Sequence, residues 1–267
     1  NGYMDGWWDH HYHHGGGTEY LERAKLWGEW LFKHGMDNEG WPLWGVIFED
    51  LPPDAPNPHM RLDVHGGFQG GGLSFLHQLA QASGNKAWVG GQFGAMADYL
   101  AQHIQQPDGY FASIEKTTKN PPEKDPQNNR HKFNDDFCTI GLLAAHDATG
   151  NKQYLAAVGR FLHAVFNAQR PDGAFEDNTA SIPVILNAWM EAGRHMDVSA
   201  YEAKAAKALE RLLLSRSEGQ FNQRMAGAVL EDISRKHVCG RSSAYALLCL
   251  LKIAGKGGQV LSGKGWQ

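Results

Sequence analysis

The chain has 267 residues, 42% hydrophobic and 20% charged, with a formal net charge of −4. That is length for one large packed domain, without the basic footprint that phosphate neutralisation demands of a nucleic-acid binder. No run approaches the roughly 20 apolar residues of a membrane span and no basic-then-apolar leader opens the chain, so it reads as soluble, with neither nucleic acid nor membrane as partner.

The opening stretch YMDGWWDHHYHHGGG has the length and apolar content of a helix closed by a glycine link. On that helix Asp9 and His13 lie four apart, as do His10 and His14, but the two pairs face different ways. A four-ligand metal site is therefore not expected. One pair with a third ligand from a loop is the low-ranking alternative, and otherwise no metal or cofactor is called for. Histidines in a last turn also suit a helix's negative end. Trp7 and Trp8 precede them, and together with Trp41 and Trp44 they are candidate platforms for sugar rings.

Next come helices of two alternating types. The first type reads GGTEYLERAKLWGEWLFKHG from Gly16, GNKAWVGGQFGAMADYLAQHI from Gly84, GNKQYLAAVGRFLHAVFNAQ from Gly150 and a weaker SAYEAKAAKALERLLLSR from Ser199. Each keeps a charged face. Each is followed by a turn, NEGW, PDGYF, PDGAF or EGQF, in which the glycine is free to take positive φ. The second type, GGLSFLHQLAQASG, NDDFCTIGLLAAHDATG, ASIPVILNAWMEAG and GRSSAYALLCLLKIAG, is apolar nearly all round. These lie inside and the first type faces water.

The predicted architecture is all-α, an α/α toroid with about five inner and four outer helices in a single domain spanning residues 1–267. A six-hairpin ring needs twelve helices, so the expectation is an incomplete ring or the later part of a longer domain. A regular solenoid is disfavoured, because the turn glycines Gly109 and Gly173 are 64 residues apart and Gly173 and Gly219 only 46. Cys138, Cys239 and Cys249 lack CxxC spacing and read as buried thiols.

Long loops lead into the inner helices. The loop WGVIFEDLPPDAPNPHMRLDVHGGFQGGG carries His59, Arg61, Asp63, His65 and Gln69, with glycines that would admit a ligand close to the backbone. SIEKTTKNPPEKDPQNNRHKFNDDF ends in Arg130, His131, Asn134, Asp135 and Asp136. One of its two aspartates suffices as an N-cap, which leaves the other for acid/base work or hydroxyl binding. AFEDNTAS offers Glu176 and Asp177 for substrate, with Asn178 or Thr179 as the cap, and MAGAVLEDISRKHVCGRSS offers His237 and Arg241. A cation at a helix start is unfavourable, so Arg241 calls for a carboxylate partner.

The carriers GWWDHHYHHGGGTEYLERAKLWGEWL, NDDFCTIGLLAAHDATGNKQYL and GRSSAYALLCLLKIAG resemble the α/α-toroid carbohydrate-active enzymes: polysaccharide lyases, unsaturated glucuronyl hydrolases and arabinofuranosidase-like glycosidases. The resemblance implies a cleft where the inner helices begin, and a polysaccharide or oligosaccharide as substrate. The preferred expectation is β-elimination on a uronate, with His65, Arg130, His131, Tyr110 and Arg241 as players. Hydrolysis by paired carboxylates, Asp135 or Asp136 with Glu176 or Asp177, is the alternative. A non-catalytic glycan-binding or scaffold domain is a further one. Terpene cyclization, faintly suggested by QRPDGAF, lacks its aspartate-rich motif. Oligomeric state is open, and the compartment leans periplasmic or extracellular.

Overall fold

The computed structural model describes residues 17–34, 62–116, 130–131, 136–219, 223–232, 237–238 and 240–255. The outer helices are α1 (Thr18–His34), α3 (Gly91–Tyr99, continued by a π turn over Leu100–Ile104), α5 (Lys152–Asn167) and α7 (Glu202–Leu214). The inner ones are α2 (Gly66–Ser83), α4 (Asp136–Thr149), α6 (Ser181–Ala192) and α8 (Gly240–Ile253). Inner helices touch inner helices in chain order, α2 to α4 to α6 to α8, and each outer helix from α3 to α5 packs between its two inner neighbours. This is the expected α/α toroid, with four inner and four outer helices among the described residues. The proposed first inner helix lies outside them.

The hairpin links share one local design. After α2, Ser83 Oγ donates to the Leu79 carbonyl, Gly84 takes φ +67°, and Asn85 Oδ1 accepts from the Ala87 N–H. After α4 the same roles fall to Thr149, Gly150 at φ +73° and Asn151. A hydroxyl ends the inner helix, glycine reverses the chain, and asparagine satisfies a free N–H in the first turn of the next helical segment.

The turns at the other end are equally regular, and they use a residue that the turn phrases omit. Gly109 (φ +90°) and Gly173 (φ +89°) each sit four residues after a glutamine. Gln105 Nε2 donates to Gly109 O at 3.0 Å and to Ala157 O of α5 at 2.7 Å. Gln169 Nε2 donates to Gly173 O at 3.1 Å and to Lys204 O of α7 at 2.8 Å. Each glutamine thus clamps its own turn to the next outer helix. QRPDGAF is therefore part of a structural clasp, which removes the hint of a terpene cyclase.

Inner helices α2 and α4 meet through glycine. A Cβ on Gly141 would strike the Gly70 backbone, and one on Gly70 would strike the Phe137 carbonyl. GGFQGGG, expected as a ligand-lining loop, is consequently the first turns of α2, and Gln69 stands on a helix. Close packing overrides the poor helix propensity of glycine. A second departure concerns burial. Residues 138–145 of α4 are buried throughout, as a helix flanked on all sides should be, but Leu247 of α8 is 58% exposed. Among the described residues α8 has an inner neighbour on one side only, α6.

The long loops also hold short strands that the all-α reading did not specify. β1 (Leu62–His65), β2 (Phe111–Lys116) and β3 (Arg130–His131) form an antiparallel sheet in that order, and β4 (Leu230–Asp232) pairs with β5 (His237–Val238). The helical core remains as expected; the strands belong to the loops.

Candidate functional site

The inner helices all point the same way. Gly70, early in α2, meets Phe137 and Gly141, early in α4. At the far end, Asp147 of α4 pairs with His195 just beyond α6 (3.3 Å), and Glu191 of α6 pairs with Lys252 in the last turn of α8. The four inner N-termini therefore share one end of the ring. There each strand hairpin leads into a helix: β1 runs directly into α2, β3 precedes α4 by four residues, and β5 precedes α8. The α6 entrance joins this rim through Thr179 Oγ1, which donates to the Leu230 carbonyl of β4. Exposed N–H groups and the positive ends of the helix dipoles make such a rim favourable for a carboxylate-bearing ligand.

Register decides which candidate positions share a face of the sheet. Across β1 and β2, Asp63 stands opposite Glu115 and His65 opposite Ser113; across β2 and β3, Phe111 stands opposite His131 and Ala112 opposite Arg130. Neighbours along a strand alternate between its two faces. His65 and His131 therefore occupy positions of the same parity, and Arg130 occupies the other. Histidine and arginine adjacent in sequence were expected to act on one uronate; their register positions separate them.

Asp136 opens α4 and Arg241 is the second residue of α8, so both stand at the rim by backbone position, as does His237 on β5. Trp7, Trp8, Trp41, Trp44, Asn134 and Asp135 lie outside the described residues, as do Asp9, His10, His13 and His14. Among the described residues no group of three or more His, Cys, Asp or Glu is placed to hold a metal ion.

Tyr110 follows the first of the two turns. Its hydroxyl donates to the Ala164 carbonyl of outer helix α5 at 3.3 Å, and burial raises its pKa above the ordinary phenol value. This bond ties the turn to the next outer helix, directly before the start of β2. Asp177 pairs with Arg170 at 2.6 Å on the exposed surface, and Glu176 is half-buried beside it. Neither Asn178 nor Thr179 is the N-cap of α6: that position is Ala180, which has no side-chain cap bond, and Asn178 Oδ1 accepts from the Ala180 N–H at 2.8 Å in the turn just before the helix.

Sequence reasoning also missed polar groups on the inner helices. Lys252 bonds Glu191 and Asn187, and the Lys252 and Glu191 side chains are both under a tenth exposed. His77 of α2 is buried, with Gln81 3.2 Å from its Nε2 and no partner at Nδ1 among the described residues. Burial lowers its pKa, and nearby Asp147 opposes that shift. Both features sit toward the end opposite the rim. The signal available was a Lys, Glu or His inside an otherwise apolar helix. Cys138 and Cys249 are buried free thiols as expected, and burial pushes Cys249 up to about 12.

No family model and no curated protein matches the chain. Solved structures do. A possible member of the GH105 family from Klebsiella pneumoniae is 13% identical, covers 94% of this chain and 70% of its own, and superposes with a TM-score of 0.67. The unsaturated glucuronyl hydrolase from Bacillus sp. GL1, responsible for the degradation of glycosaminoglycan, is 13% identical, with 98% and 87% covered and a TM-score of 0.62. A glycoside hydrolase family 76 mannosidase from Bacteroides thetaiotaomicron is 14% identical, with 90% and 66% covered and a TM-score of 0.60. At these identities the likeness is one of fold: the chain shares the α/α toroid of carbohydrate-active enzymes.

Proposed function

We propose that this chain is a carbohydrate-active enzyme that cleaves an acidic, uronate-containing polysaccharide or oligosaccharide at the rim where the inner helices begin. The observation that carries the reading is the β1–β2–β3 sheet, which brings His65 and His131 to the same register face beside the N-termini of α2 and α4. The toroid shared with glycan-cleaving proteins supports the substrate class by analogy of fold.

Within that reading hydrolysis is favoured over β-elimination. Elimination needs a cation against the uronate carboxylate, a base at C5 and a proton donor for the leaving oxygen. Two observations weigh against it: the Tyr110 hydroxyl is bonded to outer helix α5, and Arg130 stands at the opposite register parity from His131. Hydrolysis asks only for paired carboxyl groups and water.

The test is to incubate the purified chain with uronate-containing and neutral glycans, polymers and oligosaccharides alike. Reducing ends and the ultraviolet absorbance of unsaturated uronates are followed together. Reducing ends on the acidic substrates without rising absorbance are expected. A rise in both would establish elimination, and silence on every glycan would replace the enzyme with a binding or scaffold domain.

A further inference from the structure

The entrances of the inner helices are not built alike. α2, α4 and α8 are each preceded by a strand of the rim, whereas α6 is entered by none among the described residues. Its start is tied instead to β4. Thr179 stands just outside α6, where a hydroxyl would ordinarily serve as a cap. It is buried, and its Oγ1 donates to the Leu230 carbonyl, 51 residues on in the chain. The segment that ends in Leu230 is held from other sides as well. The Leu230 N–H donates to the Ser215 carbonyl beyond α7 at 2.9 Å, and the N–H of buried Val229 donates to Ser243 Oγ in the first turn of α8 at 3.1 Å. Ser217 donates its N–H to the Ala228 carbonyl and accepts from the Gly227 N–H, both at 2.8 Å. Residues 227–230 are thus fixed by the exit of α7, by the start of α8 and, through one hydroxyl, by the entrance of α6.

Immediately beyond this anchor lies a β-bulge. Leu230 pairs with Val238 and Asp232 with His237, so two steps along β4 match one along β5, and Glu231 is the extra residue. A bulge bends its strand and re-aims the residue it adds, and bulges collect beside active sites for that reason. β5 leads into α8, so a strand pair that served only as a connector would need no buried bond to α6.

We propose that Thr179 is a positioning residue of the glycan-cleaving rim: its hydroxyl holds the bulged strand against the entrance of α6 and so sets the backbone position of Glu231, the residue through which it acts on turnover. This rests on the reading of the chain as a hydrolase of acidic glycans, and it gives the α6–α8 side of the rim a part in that reaction. Without the hydroxyl the bonds to Ser215, Ser217 and Ser243 remain, so β4 stays attached while its distance from α6 is no longer set. A displacement of about 1 Å can cost roughly 100-fold in rate when a reacting group moves with it.

The test uses Thr179→Val, Thr179→Ser, Glu231→Gln and the double variant Thr179→Val with Glu231→Gln, all in the full chain. On the acidic glycan that the wild type cleaves, Thr179→Val is expected to lose about tenfold or more in kcat with KM within about threefold, and Thr179→Ser to keep kcat within about twofold. Glu231→Gln should lose about 100-fold or more in kcat, and adding Thr179→Val to it should cost less than about threefold further, because both changes act at one place. Amide hydrogen exchange supplies a readout independent of turnover: exchange over residues 230–232 should quicken in Thr179→Val and return to the wild-type rate in Thr179→Ser. The melting temperature of Thr179→Val should fall by only about 2–8 °C. A wild type that cleaves glycans while Thr179→Val keeps its kcat, or loses as much with Glu231→Gln present as without it, overturns the positioning role and spares the function. Unchanged exchange over residues 230–232 does the same. Glu231→Gln with wild-type kcat overturns the role by itself, with no demand on the folding of a Thr179 variant. A wild type that cleaves no glycan overturns the function and this role with it.

Discussion

Two glycines within helices, one outer and one inner, respond oppositely to one methyl group. Gly94 of α3 has nothing within 4 Å of the position a Cβ would take, so Gly94→Ala should stabilise the chain by about 0.5–1 kcal/mol through helix propensity alone. Gly141 would drive the same methyl into the Gly70 backbone of α2, and Gly141→Ala should cost about 1–3 kcal/mol or more because backbone cannot step aside. Denaturation midpoints of the two variants should move in opposite directions. Tyr110→Phe should keep full activity and lose about 1 kcal/mol, the worth of one hydrogen bond to Ala164. His77 makes a prediction about acid. Burial holds its folded pKa below the ordinary 6.5, so below about pH 6.5 the unfolded chain takes up a proton that the folded chain refuses. Its contribution to stability is fully present above that pH and is lost as the pH falls through the folded value. His77→Leu should therefore flatten the fall in stability between neutral and mildly acid pH. An unchanged slope would assign the acid sensitivity to other groups.

The clasp that closes each outer helix is the natural unit at the scale of elements. Gln105 and Gln169 occupy the same place in consecutive repeats, and both turn glycines crowd the next outer helix: a Cβ on Gly109 would come within 2.7 Å of Arg160 O, and one on Gly173 would strike Lys207 O. Gln105 has the additional duty of accepting two bonds from Arg160, at 3.1 and 2.6 Å. Gln169→Ala should thus cost about 1–3 kcal/mol and Gln105→Ala more, since the latter also strips a charged group of its acceptor. The two losses should add, because the clasps bind different helices. Chemical denaturation of the single and double variants checks both the ranking and the sum. The aligned phrases located these turns from Asp-Gly and a following aromatic, but the glutamine was overlooked because its partner carbonyl lies on another helix.

Over the whole molecule, the arc is held at its far end by charge. Lys252 and Glu191 join α8 to α6 in a buried pair, and truncating one partner leaves the other charge buried. Lys252→Met should cost about 3–5 kcal/mol, whereas Lys252→Met combined with Glu191→Leu should recover much of it. Thermal melts of the single and double variants distinguish the two cases, and equal losses in both would show that the ion pair itself, not the orphaned charge, carries the stability. Because this pair and His77 lie toward the end opposite the rim, their variants should change stability without changing substrate preference.

The sequence by itself determined the alternation of inner and outer helices, the positive-φ glycines of links and turns, and the end of the ring on which the polar loops gather. Those features are local: period, cap and turn chemistry are written within a few residues of where they act. It did not determine which rim residues share a register face. His65, His131, Asp63 and Glu115 come from three segments, and their grouping depends on strand register, in which a shift of one residue exchanges the faces. The helical course of GGFQGGG and the bond from Tyr110 to the outer layer were likewise tertiary decisions. In each case the partner, Gly141 for one and the Ala164 carbonyl for the other, lies more than fifty residues away in the chain.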